Sequence, residues 1–147
     1  MPLARAAMHA REEAVHVACW PTVRETYKLA SRHYAFEGRC FVLAAGLVQH
    51  KADVLDGLER VGGNAEAKAL IEAIEAEQLN AGGSLIIGPD AAVLAEAGSQ
   101  AETIHATLDM TALAEAKAAL DTDGHYSRPD VFTLDVDTRS QDGVRWG

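Results

Sequence analysis

Two short apolar stretches decide the fold: Val15-His16-Val17-Ala18-Cys19-Trp20, and Cys40-Phe41-Val42-Leu43-Ala44-Ala45 after an intervening helical run. In the first, Val15, Val17 and Cys19 alternate with His16, Ala18 and Trp20, the period of a strand. By that alternation Cys19 shares a face with Val15 and Val17, and this face is assigned to the core. Pro21 ends the strand, because proline cannot donate to a sheet. Thr22-Val23-Arg24-Glu25 has the form of a capping box, with Thr22 as the N-cap of a helix running towards Glu37. Val23, Tyr27, Ala30 and Tyr34 lie on one face of that helix, and Gly38 is placed to end it in a left-handed cap. The second stretch is a continuous apolar strand of the kind covered on both faces. Strand, helix and strand within ~30 residues imply a right-handed crossover between neighbouring parallel strands. The fold class is therefore α/β.

Outward from this unit the patterns are weaker. Pro2 suits the first turn of a helix carrying Leu3, Ala6, Ala7 and Ala10. Residues 49–80 change character: Gly57, Gly62 and Gly63 interrupt a charged stretch, and Asn64 can cap a helix carrying Leu70, Ile71 and Ile74. They read as a surface insertion. Ser84 to Gly88 is a strand, Pro89-Asp90 a turn, and Val93-Leu94 the return of a hairpin. Thr103 to Leu108 alternates as a strand, and Asp109 can cap a short helix carrying Leu113, Ala116 and Leu120. Phe132, Leu134 and Val136 suggest a last strand. The expected organisation is one domain over 1–136, with the insertion at 49–80 and a polar tail at 137–147.

The 147 residues carry a formal net charge of -9 and are 48% hydrophobic. That excludes a disordered chain. The longest apolar run, Cys40 to Val48, is far short of the ~20 residues of a membrane span, and no secretory signal is visible. The expectation is a cytoplasmic protein without membrane contact. Charge is uneven: 8 basic and 7 acidic residues through Arg60, then 5 basic and 15 acidic from Val61. No basic stripe exists to neutralise phosphates, so nucleic acid is not an expected partner.

Little in the composition carries chemistry. Two cysteines cannot make a disulfide framework. Cys19 stands at a strand end, but Pro21 follows, so no helix N-terminus is there to activate it. The six histidines are scattered, without metal-ligand spacing, and neither a metal nor a cofactor is expected. Glu37 is the one carboxylate singled out, because it stands between an amphipathic helix and a buried strand.

A resemblance goes further. Trp20-Pro21, the run Arg32-His33-Tyr34-Ala35-Phe36-Glu37-Gly38-Arg39-Cys40-Phe41, and Gly82-Gly83-Ser84 with Pro89-Asp90 resemble the nitrilase branch of the carbon–nitrogen hydrolase superfamily. So do Ala106-Thr107-Leu108-Asp109-Met110 and Gly124-His125-Tyr126-Ser127-Arg128-Pro129-Asp130-Val131-Phe132. Met1-Pro2-Leu3 resembles the segment that follows the family's nucleophile turn.

The resemblance implies an α-β-β-α sandwich of which this chain is the C-terminal half. It implies hydrolysis of a nitrile to a carboxylic acid and ammonia through a cysteine thioimidate. The cysteine nucleophile, glutamate base and lysine would all lie outside this chain. Cys19-Trp20 mimics the nucleophile motif, but Pro21 stands in place of its glutamate, so no catalytic residue is assigned. Trp20 and Pro21 would sit near the pocket, and Glu37 would support the site. The helices Pro2 to Arg11 and Val23 to Glu37 would resemble a dimer surface, and His125, Tyr126, Arg128 and Asp130 would belong to an assembly surface. The implied partners are a nitrile in the intact enzyme, and either further copies or an N-terminal nitrilase half. The alternatives are a non-catalytic assembly or regulatory module, and a fragment without a function of its own. Ala91 stands where the family has glycine after Pro-Asp, so a turn needing positive φ there would be strained.

Overall fold

The computed structural model describes residues 2–122, 124–139 and 143. Helix α1 (Pro2–His9) leads into strand β1 (Val15–Trp20), helix α2 (Glu25–Gly38) and strand β2 (Phe41–Gly46). Strand β3 (Val48–His50), helices α3 (Lys51–Arg60) and α4 (Ala65–Glu72), and strand β4 (Gln78–Ala81) follow. Strands β5 (Leu85–Ile87) and β6 (Val93–Glu96) and helix α5 (Thr111–Ala119) complete the elements.

Four strands make a mixed sheet in the order β1-β2-β5-β6. β1 and β2 run parallel, with Val15 opposite Phe41 and Trp20 opposite Gly46. The other two pairings are antiparallel. Helix α2 is the crossover between the parallel strands and packs on β1, β2 and β5, as expected. β3 and β4 form a separate two-stranded sheet with α3 and α4 between them in sequence, and neither helix buries a residue. Asn64 Oδ1 accepts from Ala67 N at 2.8 Å, capping α4.

The core lies between α2 and the sheet. Tyr34, Ala35, Cys40, Val42, Ala44, Leu85 and Ile87 are buried together with Val23. Removing a side chain such as Ile87 or Leu85 from water stabilises the fold by ~1.5–3 kcal/mol each.

The opposite face of the sheet is open except around Phe41, which is buried and shares a cavity lining with Ala112 and Ala116 of α5. Register places Val15, Val17, Cys19, Phe41, Leu43, Ala45, Ile86 and Ala95 on this face. Val17 is 60% exposed, and Cys19 and Ala45 are exposed as well. This corrects the expected orientation of β1: His16, Ala18 and Trp20 face inwards, not Val15, Val17 and Cys19. The physical reason is the polar end of the strand. Glu13 Oε1 lies 2.8 Å from His16 Nδ1, and Tyr34 Oη donates to Glu13 Oε2 at 2.7 Å. The His16 and Tyr34 rings stack with centroids 4.0 Å apart, and His9 meets the same tyrosine edge-on at 4.7 Å.

The helix ends differ from the expected ones. Arg24 is the N-cap of α2 and makes no side-chain cap bond. Thr22 instead accepts from Ala81 N at 3.2 Å and faces the Gly82 carbonyl. Ser31 rather than Ala30 is buried. Gly38 stays helical, and Arg39 takes the left-handed cap with φ of 51°. Gly38 is required for closeness rather than for φ: a Cβ there would lie 2.6 Å from the His9 ring.

Residues 103–108 and 132–136 are not strands; neither lies in register with a sheet edge. The Gly88 to Ala92 turn is held by Ala91 N to Gly88 O at 2.9 Å and Gly88 N to Ala92 O at 2.8 Å. Ala91 has φ of 68°, so the strain anticipated from its Cβ is present. Asp109, expected to cap α5, is not its N-cap: that place falls to Met110, which makes no side-chain cap bond, and Asp109 Oδ1 accepts from Thr111 N at 2.9 Å from one residue further out. Of the polar tail, 140–142 and 144–147 lie outside the described residues.

Two substitutions test this geometry by denaturant melts. Ala91→Gly relieves the left-handed alanine and is expected to stabilise the fold by about 0.5–1 kcal/mol. Gly38→Ala drives a methyl into His9 and is expected to destabilise it by about 1–3 kcal/mol.

Candidate functional site

The singled-out residues fall into two regions at opposite ends of the β1–α2 unit. Trp20 closes β1, where Gly46 closes β2. Its indole stacks on Tyr27 with centroids 4.7 Å apart, and Nε1 donates to Ser31 Oγ at 3.2 Å. Both partners are on α2, so Trp20 wedges helix against sheet and does not face the open side. Pro21 is exposed, and its carbonyl accepts from Leu47 N at 3.2 Å.

Around these strand ends lies a cleft of about 270 Å³, lined by Gly46, Ser84, Gly98 and Glu102 among others. Ser84 Oγ accepts from Gly46 N at 3.0 Å, Gly98 O accepts from Gly83 N at 3.1 Å, and Glu102 Oε1 accepts from Gly98 N at 2.5 Å. A Cβ on Gly46 would sit 2.2 Å from the Gly82 carbonyl oxygen, so the loops close only over glycine. Sequence reasoning missed Gly46, Gly98 and Glu102. The glycine spacing was the available signal, but nothing in the sequence brings these three loops together.

Cys19 stands at the same end on the open face. Its partner across β2 is Ala45, and no base faces it in register. Cys40 is fully buried, and burial reinforced by Glu13 pushes its thiol up to about 12. A thiol held protonated is a poor nucleophile.

Glu37 lies at the other end, where α2 gives way to β2. Its Oε2 is 3.1 Å from Arg5 Nε and 3.9 Å from His33 Nδ1. Its carbonyl accepts from Thr122 Oγ1 at 2.9 Å. Glu37 and Arg128 line one groove of about 530 Å³ between α1 and residues 122–138, floored by Ala6, Ala7 and Ala10 and walled by Phe132, Leu134 and Val136.

Arg128 is held in a fork by Asp130, Nε to Oδ1 at 2.8 Å and Nη2 to Oδ2 at 2.7 Å. The guanidinium keeps the Asp130 carboxyl below the usual carboxylate range. The His125 ring meets Tyr126 edge-on at 5.3 Å, and Asp121 anchors the turn by accepting from Gly124 N and His125 N. The structure thus joins Glu37 to Arg128 and separates both from Trp20 and Pro21. Among the described residues no group of three His, Cys, Asp or Glu side chains could hold a metal, and no helix is long and apolar enough to cross a membrane.

The carbon-nitrogen hydrolase family model matches residues 1–118. A bifunctional nitrilase/nitrile hydratase of Lupinus angustifolius is 40% identical over 92% of this chain and 38% of its own length. An aliphatic nitrilase of Rhodococcus rhodochrous is 37% identical over 99% of this chain and 39% of its own length. The chain spans about two fifths of the length of the curated relatives it matches. Among solved structures, a carbon-nitrogen hydrolase from Helicobacter pylori G27 superposes with a TM-score of 0.61 at 17% identity, covering 90% of this chain and 43% of that one. A superfamily protein from Xanthomonas campestris gives a TM-score of 0.51 at 22% identity, over 75% and 34%. These likenesses carry the fold, and the family match carries the membership: the chain belongs to the carbon-nitrogen hydrolase family.

Proposed function

We propose that this chain is the part of a nitrilase that follows the nucleophile turn, and that it serves hydrolysis of a nitrile to a carboxylic acid and ammonia. In that reaction a cysteine thiolate adds to the nitrile carbon to form a thioimidate. Water releases ammonia and leaves a thioester, and a second water releases the acid. The cysteine, its glutamate base and the lysine belong to the portion that the relatives carry beyond this chain.

The open apolar sheet face carries the reading. Val15, Val17, Leu43 and Ile86 lie on a face that α2 does not reach, and apolar surface left in water is the strongest drive to association. A second sheet laid on it would complete two layers of strands between helices. The nitrilase relatives, of which this chain spans about two fifths, support the class of reaction. On this reading Trp20 and Pro21 set the position of a strand end beside the pocket rather than touching substrate. Homo-oligomers form through α1, α2 and the turn at His125, Tyr126, Arg128 and Asp130. A non-catalytic module that docks on a separately encoded N-terminal half uses the same open face.

Two measurements test this. The isolated chain is expected to release no ammonia from a nitrile; release that Cys19→Ala abolishes overturns the proposal. Co-expression with the preceding portion of a nitrilase is expected to yield a complex that co-purifies, and Val17→Asp is expected to prevent it by placing a charge on the buried face. A stable monomer indifferent to that portion sinks the docking reading.

A further inference from the structure

Arg39 is 6% exposed, yet among the described residues it has neither an ion pair nor a hydrogen-bond acceptor for its buried Nε. Its guanidinium carbon lies 4.0 Å from the centroid of the Phe36 ring. A cation–π contact attracts the charge but satisfies none of its in-plane N–H groups. Desolvated guanidinium groups elsewhere are paired, because water is not there to replace a lost acceptor. The residue is costly in backbone as well, being an arginine in the left-handed region with φ of 51°.

Arg39 borders a cavity of about 400 Å³ between the end of α2, the Gly88–Asp90 turn and α5. The size suits a small ligand. Phe41, Leu94, Ala112 and Ala116 supply apolar walls. Three carboxylates also line it, and none is paired with Arg39. Asp90 Oδ1 accepts from Ala92 N at 2.9 Å. Asp109 Oδ1 accepts from Thr111 N at 2.9 Å and from Thr111 Oγ1 at 2.8 Å. Glu115 is exposed.

We propose that this cavity binds a small monocarboxylic acid with a short apolar tail, its carboxylate on Arg39. A guanidinium fork matches a carboxylate. The apolar walls take the tail, and the acidic rim disfavours a second negative charge. The site is distinct from the strand ends beside Trp20 and does not rest on the nitrilase reading.

Titration of the full chain with hexanoate, hexanamide and adipate, followed by calorimetry, tests it. Hexanoate is expected to bind saturably, and the neutral amide and the dianion roughly tenfold or more weakly. Arg39→Met is expected to abolish the preference for acid over amide. Ala112→Phe fills the cavity from α5 without altering Arg39, and is expected to lose hexanoate binding while keeping a cooperative melt. Equal binding of acid and amide, or hexanoate binding unchanged by either variant, overturns the proposal. So does Glu115→Gln destabilising the chain as much as Arg39→Met, because Glu115 would then be the partner of Arg39 within the protein.

Discussion

Two parallel neighbouring strands cannot be joined by a tight turn, and everything else in the structure depends on that constraint. The chain must leave the Trp20 end of β1 and return to the Val15 end before β2 can start. Helix α2 makes this return, and its 14 residues span ~21 Å, about the length of the six-residue strands it joins. In making it, the helix covers one face of the sheet. Tyr34, Ala35 and Ser31 then become core, and Val42, Ala44, Leu85 and Ile87 face them. The other face receives nothing from this unit. The same constraint sends Trp20 and Glu37 to opposite ends of the unit, so the residues singled out along α2 and its flanks cannot converge on one site.

Much of this was legible because alternation and continuous apolar runs report burial, and burial is what β1, β2 and β5 experience. Alternation, however, separates two faces without saying which is inner. Val15, Val17 and Cys19 are as apolar as Ala18 and Trp20. What decides is polar: Glu13 draws His16 and the Tyr34 hydroxyl together beneath α2, and that turns the whole strand. No spacing rule connects Glu13, His16 and Tyr34, which meet only after α2 has folded back. The His9 ring joins them from a third element.

The two unconfirmed strands fail for a complementary reason. Ile104, Ala106 and Leu108 alternate, as do Phe132, Leu134 and Val136, but a strand exists only through a partner's hydrogen bonds. The edges of the four-stranded sheet are β6 and β1, and neither segment pairs with one. Residues 132–136 lie instead against α1, where the same alternation lines a groove. The pattern reported an apolar side correctly and said nothing about pairing. The glycine cleft at the strand ends is illegible for a related reason, since Gly46, Ser84 and Gly98 come from the end of β2, the loop before β5 and the loop after β6.

The end of α2 shows how one close contact redirects the local chemistry. Glycine is the residue suited to a left-handed cap, and Gly38 stands in the right place for it. The His9 ring, packed under Tyr34, lies too near Gly38 for any Cβ. That proximity accounts for the glycine without any demand on φ, so the helix continues through it and the left-handed turn falls on Arg39. Two residues later the chain is already extended, with Phe41 N bound to Ala14 O at 3.0 Å. Arg39 is thereby held in the bend between helix and sheet, with its side chain buried beside α5 rather than reaching solvent. A lysine or arginine after a helix usually extends into water and satisfies the last carbonyls. Here Arg39 is buried instead, and a desolvated charge stands beside a cavity with apolar walls and an acidic rim.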